Sequence, residues 1–385
     1  MSLPKSIVDT VGIEIESSFL TQDAAINLIR NSRLLGNWRV HNDASINTTR
    51  SSIPGLGISF NSVNGQMFSR RTYGAEIVSP PIDTTEDESW KDQVKELLGH
   101  IYKIGEIPQK ETSIHIHVNS AGIPVYFVQN LLRLWQGLEA SIYRLGIAES
   151  GIHRGELRED YKYCRPLSSP HVVLSDNCLR YSYSVDKMLS AKTYADFFTA
   201  YGNVSLSREA NKYHPARYSG LNFFSLQSIN TIEFRVFNMT TNWKNVVAWI
   251  ELCKSMLRQS MGKPIDLEKQ DLGFSGEFNI PRLQSILEFD DETAIQLEYL
   301  WNNSDWPNPV KGNFFTHSNH STIKWAKLKP EKVESALKWN GDFSNKVTYE
   351  SLTGSRSLPA MPAIDLEPLE TEDDEDFDED HDEED

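Results

Sequence analysis

Basic charge is what this 385-residue chain has least to spare: 38 Lys and Arg stand against 54 Asp and Glu, for a formal net charge of −16. Nucleic-acid binding needs a clustered positive surface, so this balance excludes nucleic acid as the main partner. The Arg70-Arg71 pair is too small a patch to reverse that. Cysteine is scarce as well. Cys164, Cys178 and Cys253 are odd in number and lack paired metal-ligand spacing, so they read as reduced thiols. No apolar run approaches the length that spans a bilayer, and Met1-Ser2-Leu3-Pro4-Lys5-Ser6 lacks the apolar region of a signal peptide. Internal repeats are missing too. The expectation is a soluble, cytoplasmic protein with no membrane partner.

The acidity is local. Asp365 to Asp385 holds fifteen acidic residues and no Lys or Arg; taking these from 54 leaves 39 acidic against 38 basic side chains elsewhere. The body is therefore near neutral, and the charge belongs to a tail. A run of like charge repels itself, so 351–385 is expected to be an extended linker, around Leu358-Pro359-Ala360-Met361-Pro362, and a disordered acidic tail. Solubilisation and binding to a basic protein partner both fit such a tail.

Upstream, period-two alternation predicts strands over Val11 to Ser17, Gly74 to Ser79 and Ser113 to Asn119. Two more are expected over Ser219 to Leu226 and Asn230 to Asn238. Helical spacing covers Ala24 to Leu35, Trp90 to Ile104, Val125 to Leu145, Val185 to Tyr201 and Trp243 to Met261. It also marks part of Ile280 to Asn302 and Lys329 to Lys338. In the helix over Val125 to Leu145, Leu131, Leu134, Leu138 and Ile142 share one face. Ser51 to Gln66 reads as a mobile loop, and Ser150 to Ser184 as an insertion lying over a site. The expected division is a core over 1–240, a mainly helical part over 241–350 packed on it, and the tail.

Three strands carry polar pairs that a purely structural role explains poorly, and a fourth offers one glutamate. In Gly12-Ile13-Glu14-Ile15-Glu16 both glutamates share a face and both isoleucines the other. In Ser113-Ile114-His115-Ile116-His117-Val118 the histidines share a face, and in Ile232-Glu233-Phe234-Arg235-Val236 so do Glu233 and Arg235. Glu76 sits in similar company. Residues i and i+2 on a strand are roughly 6.5–7 Å apart. Carboxylates at that spacing can each hold one of two metal ions about 3.5–4 Å apart that share a phosphate oxygen. Magnesium prefers oxygen ligands and substrate phosphates, and the arginine fork matches phosphate oxygens. Each pair alone also fits a strand with one solvated face. Trp243, Trp249, Trp301 and Trp306 read as packing, Tyr161, Tyr163, Tyr181 and Tyr183 as packing or a pocket lining, and His317 and His320 as surface residues.

The ordered set Gly12-Ile13-Glu14-Ile15-Glu16, Asp43-Ala44-Ser45, Glu76-Ile77-Val78-Ser79-Pro80, His115-Ile116-His117-Val118, Arg217-Tyr218-Ser219-Gly220-Leu221-Asn222 and Thr231-Ile232-Glu233-Phe234-Arg235 resembles the amidoligases. These are carboxylate–amine ligases similar in fold to glutamine synthetase and glutamate–cysteine ligase. The resemblance implies an α+β fold: an antiparallel sheet curled into an open half-barrel, helices on its outer face, and ATP with Mg2+ (or Mn2+) on the concave face. It makes Glu14, Glu16, Glu76, His115 and Glu233 the metal ligands. Arg235 would contact the nucleotide phosphates, His117 would sit near nucleotide or substrate, and Asn222 would orient neighbours at the cofactor site. Arg217 would stabilise an acyl phosphate or hold a carboxylate, and Asp43 would receive the incoming amine. One position departs from the family pattern: Ser113 stands where a glycine usually does.

The activity implied is ATP-dependent amide formation through an acyl phosphate, on small-molecule or peptide carboxylate and amine substrates, in a bacterial or phage setting. Relatives of this fold often assemble, so a homo-oligomer is an open expectation. Three alternatives stand beside it: a phosphotransferase of the same fold, a metal-dependent hydrolase using His115 and His117, and a non-catalytic structural or interaction protein.

Overall fold

Alternation of charged and aliphatic residues builds the centre of the fold. The computed structural model describes residues 7–17, 20, 22–32, 34, 37–47, 62–63, 66–67, 73–86, 88–103, 112–146, 164, 167, 171–172, 181–182, 185–201, 217–262 and 279–303. The chain opens with β1 (Thr10–Ser17), α1 (Gln22–Asn31) and β2 (Arg39–Asn47). A short hairpin, β3 (Ser62–Val63) and β4 (Gln66–Met67), precedes β5 (Tyr73–Val78) and β6 (Ile82–Asp83). Next come α2 (Ser89–Lys103), β7 (Ser113–Asn119) and α3 (Val125–Leu145). A second hairpin, β8 (His171–Val172) and β9 (Tyr181–Ser182), leads to α4 (Val185–Ser190) and α5 (Tyr194–Ala200). The last elements are β10 (Leu221–Asn222), α6 (Ser225–Ser228), β11 (Thr231–Asn238), α7 (Trp243–Ser260), α8 (Ile280–Leu287) and α9 (Asp291–Asn303).

Seven strands form one antiparallel sheet in the order β10-β11-β7-β1-β5-β2, with β6 paired to the start of β1. Its edges, β10 and β2, do not meet, so the sheet is open. The fold is a mixture of helices and antiparallel sheet. Ile13, Ile15, Ile77, Ile114, Ile116, Ile232 and Phe234 are fully buried. Helices α3 and α7 pack on this aliphatic face. Trp135 of α3 packs on Phe234 with ring centroids 5.9 Å apart, and Trp249 of α7 stacks on Phe237 at 4.8 Å. Burying each such side chain contributes on the order of 1.5–3 kcal/mol, so this face holds the sheet together.

Helix α3 starts behind Pro124, whose extended backbone cannot belong to the helix, and stops at Gly146. The Trp249 indole N–H donates to the Leu145 carbonyl at 2.8 Å, pairing one of the acceptors that a helix end leaves open. At the opposite end of β1, Arg258 of α7 donates to Asp9 at 2.6 Å, and buried Lys254 donates to Glu251 at 2.8 Å and to Thr84 at 2.5 Å. The described part of the region beyond residue 240 is helical, and α7 shares one hydrophobic core with the sheet.

Several elements are shorter than the periodicity predicts. The helix expected over Val185 to Tyr201 is two helices, because Thr193 caps α5: its hydroxyl accepts from the Asp196 N–H, and the Asp196 carboxylate accepts from the Thr193 N–H. The strand expected over Ser219 to Leu226 is the two-residue β10 followed by α6. Ile280 to Asn302 divides at Glu288, which takes the left-handed conformation (φ 57°) and ends α8. Helix α1 ends at Asn31, short of Leu35. The hairpin β3–β4 occupies the end of the stretch read as a loop. The rest of that loop, most of the 150–184 insertion, Arg70, Arg71, Tyr161, Tyr163, Tyr183, Cys178, Trp306, His317, His320, the helix over Lys329 to Lys338 and the acidic tail lie outside the described residues. Within the described residues no helix is long and apolar enough to cross a membrane.

Candidate metal centre

Strand register brings the polar pairs together. Glu14 lies opposite His115 and Gly12 opposite His117 on the β1/β7 pair. Glu233 of β11 flanks His117 from the other side, and Asn222 of β10 lies next to Glu233. Across β1 in the opposite direction, Glu76 of β5 lies opposite Glu16. The i, i+2 period that sends isoleucines to the helices sends these side chains to the other face.

That face is not solvated. Glu16, His115, His117, Glu233 and Arg235 are each 9 % exposed or less, whereas Glu14 and Glu76 are half-buried. An ion taken out of water costs several kcal/mol unless it is paired, and here the pairing is dense. His115 Nδ1 lies 3.0 Å from Glu14 Oε2 and 3.4 Å from Glu233 Oε1. His117 Nε2 lies 3.0 Å from Glu14 Oε1 and 3.9 Å from Glu233 Oε1. Arg235 Nη1 donates to Glu233 Oε1.

A kink in β11 aims that arginine. Between Phe234 and Phe237 the pairing with β7 slips by one residue, a β-bulge at Arg235-Val236. The Arg235 N–H donates to the Gly220 carbonyl at 2.8 Å, and the Arg235 carbonyl accepts from the Cys164 thiol at 3.1 Å. A side chain at Gly220 would overlap the Tyr143 hydroxyl and Val236, so the bulge requires glycine there.

The surrounding charges fix the ionisation. Burial alone would raise the Glu14 carboxyl, but the charge of His117 and the close approach of both histidines hold it well below the usual carboxylate range. Burial likewise opposes ionisation of Glu233, and Arg235, His117 and His115 outweigh it, so that its pKa is lowered. Burial would lower His117, yet Glu14 and Glu233 raise it above 6.5. Arg235 is pushed up by Glu233, Glu16 and Glu14 against its own desolvation, and stays charged.

Two groups of ligand atoms are close enough to share a cation each: Glu14, Glu76 and His115, and Glu14, His117 and Glu233. Glu14 is common to both. The buried Nε2 of His117 is near Glu14 but out of line for a hydrogen bond, and so lacks a partner of good geometry. A lone nitrogen among carboxylate oxygens is what a divalent cation would complete. Two carboxylates to one imidazole is a donor set for a hard ion such as Mg2+ or Mn2+. The residues present therefore fit a divalent metal.

Of the residues singled out by sequence, the structure brings Glu14, Glu76, His115, His117, Asn222, Glu233 and Arg235 to one face. Glu16 is on the same face but enters neither triad; the Ser113 hydroxyl contacts its Oε2. Asn222 touches Glu233, donating from Nδ2 to Oε2 at 2.5 Å, while its Oδ1 accepts the Phe224 N–H at 2.8 Å. Asp43 lies on edge strand β2 opposite Gly74, its side chain outside the described ones, and half-buried Arg217 precedes β10 and does not enter the triads. Sequence reasoning noted Ser113 only as a departure from the family pattern, with no role, although it also contacts His115 Nε2 at 2.8 Å; it gave no role to Thr231, whose hydroxyl meets His117 Nδ1 at 2.9 Å. Both lie two residues from a marked position, so the same period would have found them. Tyr201, bonded to Ser219 at 2.9 Å and to the Phe223 N–H at 3.3 Å behind Asn222, gave no such signal.

A family model described as "Putative amidoligase enzyme" matches residues 3–257. No curated protein matches the chain. Among solved structures, the crystal structure of a bifunctional glutathione synthetase from Pasteurella multocida is similar with a TM-score of 0.39 and 10% identity, over 87% of this chain and 53% of that one. The chain thus spans about half the length of that protein.

Proposed function

We propose, from the premise that this chain belongs to the family described as putative amidoligase enzymes, that it is an ATP- and Mg2+-dependent carboxylate–amine ligase working through an acyl phosphate. The observation that carries this is the pair of triads sharing Glu14 on a buried polar sheet face. The glutamine-synthetase-like half-barrel belongs to the same proposal and is supported by the antiparallel order of the strands. Glu14, Glu76 and His115 would hold one Mg2+ (or Mn2+), and Glu14, His117 and Glu233 a second. Bound there, the metal ions supply neutralisation of the charge on the triphosphate and on the phosphoryl group in transfer.

The chain's own residues do the rest. Glu233 braces Arg235, which sets a permanent positive charge beside both triads for the nucleotide phosphates. Asn222 holds one oxygen of Glu233 and leaves the other turned to the histidines. In this proposal Arg217 steadies the acyl phosphate or a substrate carboxylate, and Asp43 binds the incoming ammonium and takes its proton. The substrates are small-molecule or peptide acids and amines.

Two carboxylates per triad favour Mg2+ or Mn2+ over the zinc of a hydrolase. The test is to mix the full chain with ATP, Mg2+ and pooled acids and amines. ADP and phosphate release that requires both pools and yields an amide is expected. Release with a stable phosphorylated acid and no amide would indicate a phosphotransferase instead; no nucleotide binding at all would overturn both.

A further inference from the structure

One phenol ties together the corner that braces two charged groups of the site. Tyr201 ends α5, is fully buried, and packs among Phe197, Phe198 and Phe223 with ring centroids 5.6–6.3 Å apart. Its hydroxyl accepts the Phe223 N–H at 3.3 Å and meets Ser219 Oγ at 2.9 Å and Asn222 Oδ1 at 3.5 Å. Ser219 gives its own proton to the Leu221 carbonyl at 2.8 Å, so its oxygen is left to receive the proton of the phenol. One oxygen thus fixes residues 219, 221 and 223, the alternate positions of the segment that forms β10. The residues between them hold the site. The Gly220 carbonyl accepts the Arg235 N–H at 2.8 Å, and Asn222 Nδ2 donates to Glu233 Oε2 at 2.5 Å.

We propose that Tyr201 is a positioning residue that fixes the contact between Asn222 and Glu233, and through it one ligand of the metal centre. The Asn222 Oδ1 is already engaged by the Phe224 N–H at 2.8 Å, so the carboxamide can meet Glu233 only through Nδ2. With Oε2 held in this way, Glu233 Oε1 is the atom turned to His115 at 3.4 Å and to His117 at 3.9 Å. A shift of the corner would swing that oxygen out of the triad it shares with Glu14 and His117. Partners behind a metal ligand commonly set its orientation, and losing them weakens metal binding. Tyr201→Phe keeps the ring in its aromatic cluster and removes only the hydroxyl. The Phe223 N–H then loses its acceptor, and Ser219 loses the proton it receives.

The metal consequence rests on the metal-centre proposal above; the hold on Asn222 does not. The test uses the full chain labelled with 15N-asparagine, without metal, with the Asn222 carboxamide assigned by the signals lost in Asn222→Ala. In wild type one Nδ2 proton is expected to be shifted downfield and slow to exchange, because it is held by Glu233. Tyr201→Phe, and Ser219→Ala as a second variant, are expected to move it toward an ordinary amide and speed its exchange. In parallel, Mn2+ binding followed by electron paramagnetic resonance is expected to weaken about 10-fold in Tyr201→Phe and about 10–100-fold in Asn222→Ala. The double variant should bind no more weakly than Asn222→Ala alone, because both act along one chain of contacts. Phe198→Leu disturbs the same aromatic cluster without removing a hydrogen bond of the corner, and should leave both readouts at wild type. An unmoved Asn222 signal in both hydroxyl variants, additive losses in the double variant, or an equal loss in Phe198→Leu overturns the proposal. If the Asn222 signal responds and wild type binds no Mn2+, the metal centre fails and the hold on Asn222 stands.

Discussion

One sheet has two buried faces, and they are buried for opposite reasons. On one, Ile13, Ile15, Ile114 and Ile116 are buried in the core while Phe234 meets Trp135 and Phe237 meets Trp249 of the covering helices, and every contact lowers the free energy without a partner of opposite charge. On the other, Glu14, Glu76 and Glu233 crowd around two histidines and an arginine, an arrangement that burial by itself opposes. The same alternation of residues produces both. The apolar face makes the fold; the polar face is a place where the fold's stability is spent on chemistry.

The largest effects should separate the faces most sharply. Trp249→Ala empties a fully buried site against Phe237 and should lower unfolding free energy by about 3–5 kcal/mol, measured by chemical denaturation. Glu14→Gln should leave the denaturation midpoint much closer to wild type while cutting ATP turnover about 10²–10³-fold, as loss of one charge-stabilising group does. If instead Glu14→Gln unfolds the chain and Trp249→Ala does not, the division of labour is wrong.

Next in size is the response to metal. Mg2+ or Mn2+ at a hundred times its dissociation constant should stabilise the wild type by about 2.7 kcal/mol. Because Glu14 serves both triads, Glu14→Gln should remove nearly all of that gain, whereas Glu76→Gln should remove part of it; thermal denaturation with and without metal checks both.

The smallest effect is a pH slope confined to the polar face. His117 is raised above 6.5 in the folded protein, so its contribution is full below 6.5 and is lost as pH rises through the raised value. Glu14 is lowered below 4.5, so its contribution is present above 4.5 and is lost as pH falls through the depressed value. Metal-free protein should therefore lose stability on the alkaline side, and His117→Gln should flatten that limb. The apolar-face variant Trp249→Ala should keep the slope while being less stable throughout.

The two faces also differ in how far the sequence revealed them. Period-two alternation gave β7, and helical spacing gave α3, their observed ends, because burial enforces a strict pattern on both. Where short polar signals compete with periodicity, the pattern misled. Thr193 with Asp196 is a capping box readable in advance, yet the apolar spacing ran through it; Glu288 in a left-handed turn carries no such warning. At the site, charged pairs were visible as pairs, but register decides which of them meet. Glu16 looks equivalent to Glu14 along β1, and only the neighbouring strands turn one toward both histidines and the other toward Ser113. Asn222 and Tyr201 act behind Glu233 through contacts that no spacing encodes.

The most direct measurement is a crystal structure of the full chain with Mn2+ and a non-hydrolysable ATP analogue, with the ions located by anomalous scattering. Two peaks about 3.5–4 Å apart, both touching Glu14, one reaching Glu76 and His115 and the other His117 and Glu233, are the predicted result. Manganese bound away from these side chains, or a nucleotide seated on another surface, would contradict the account.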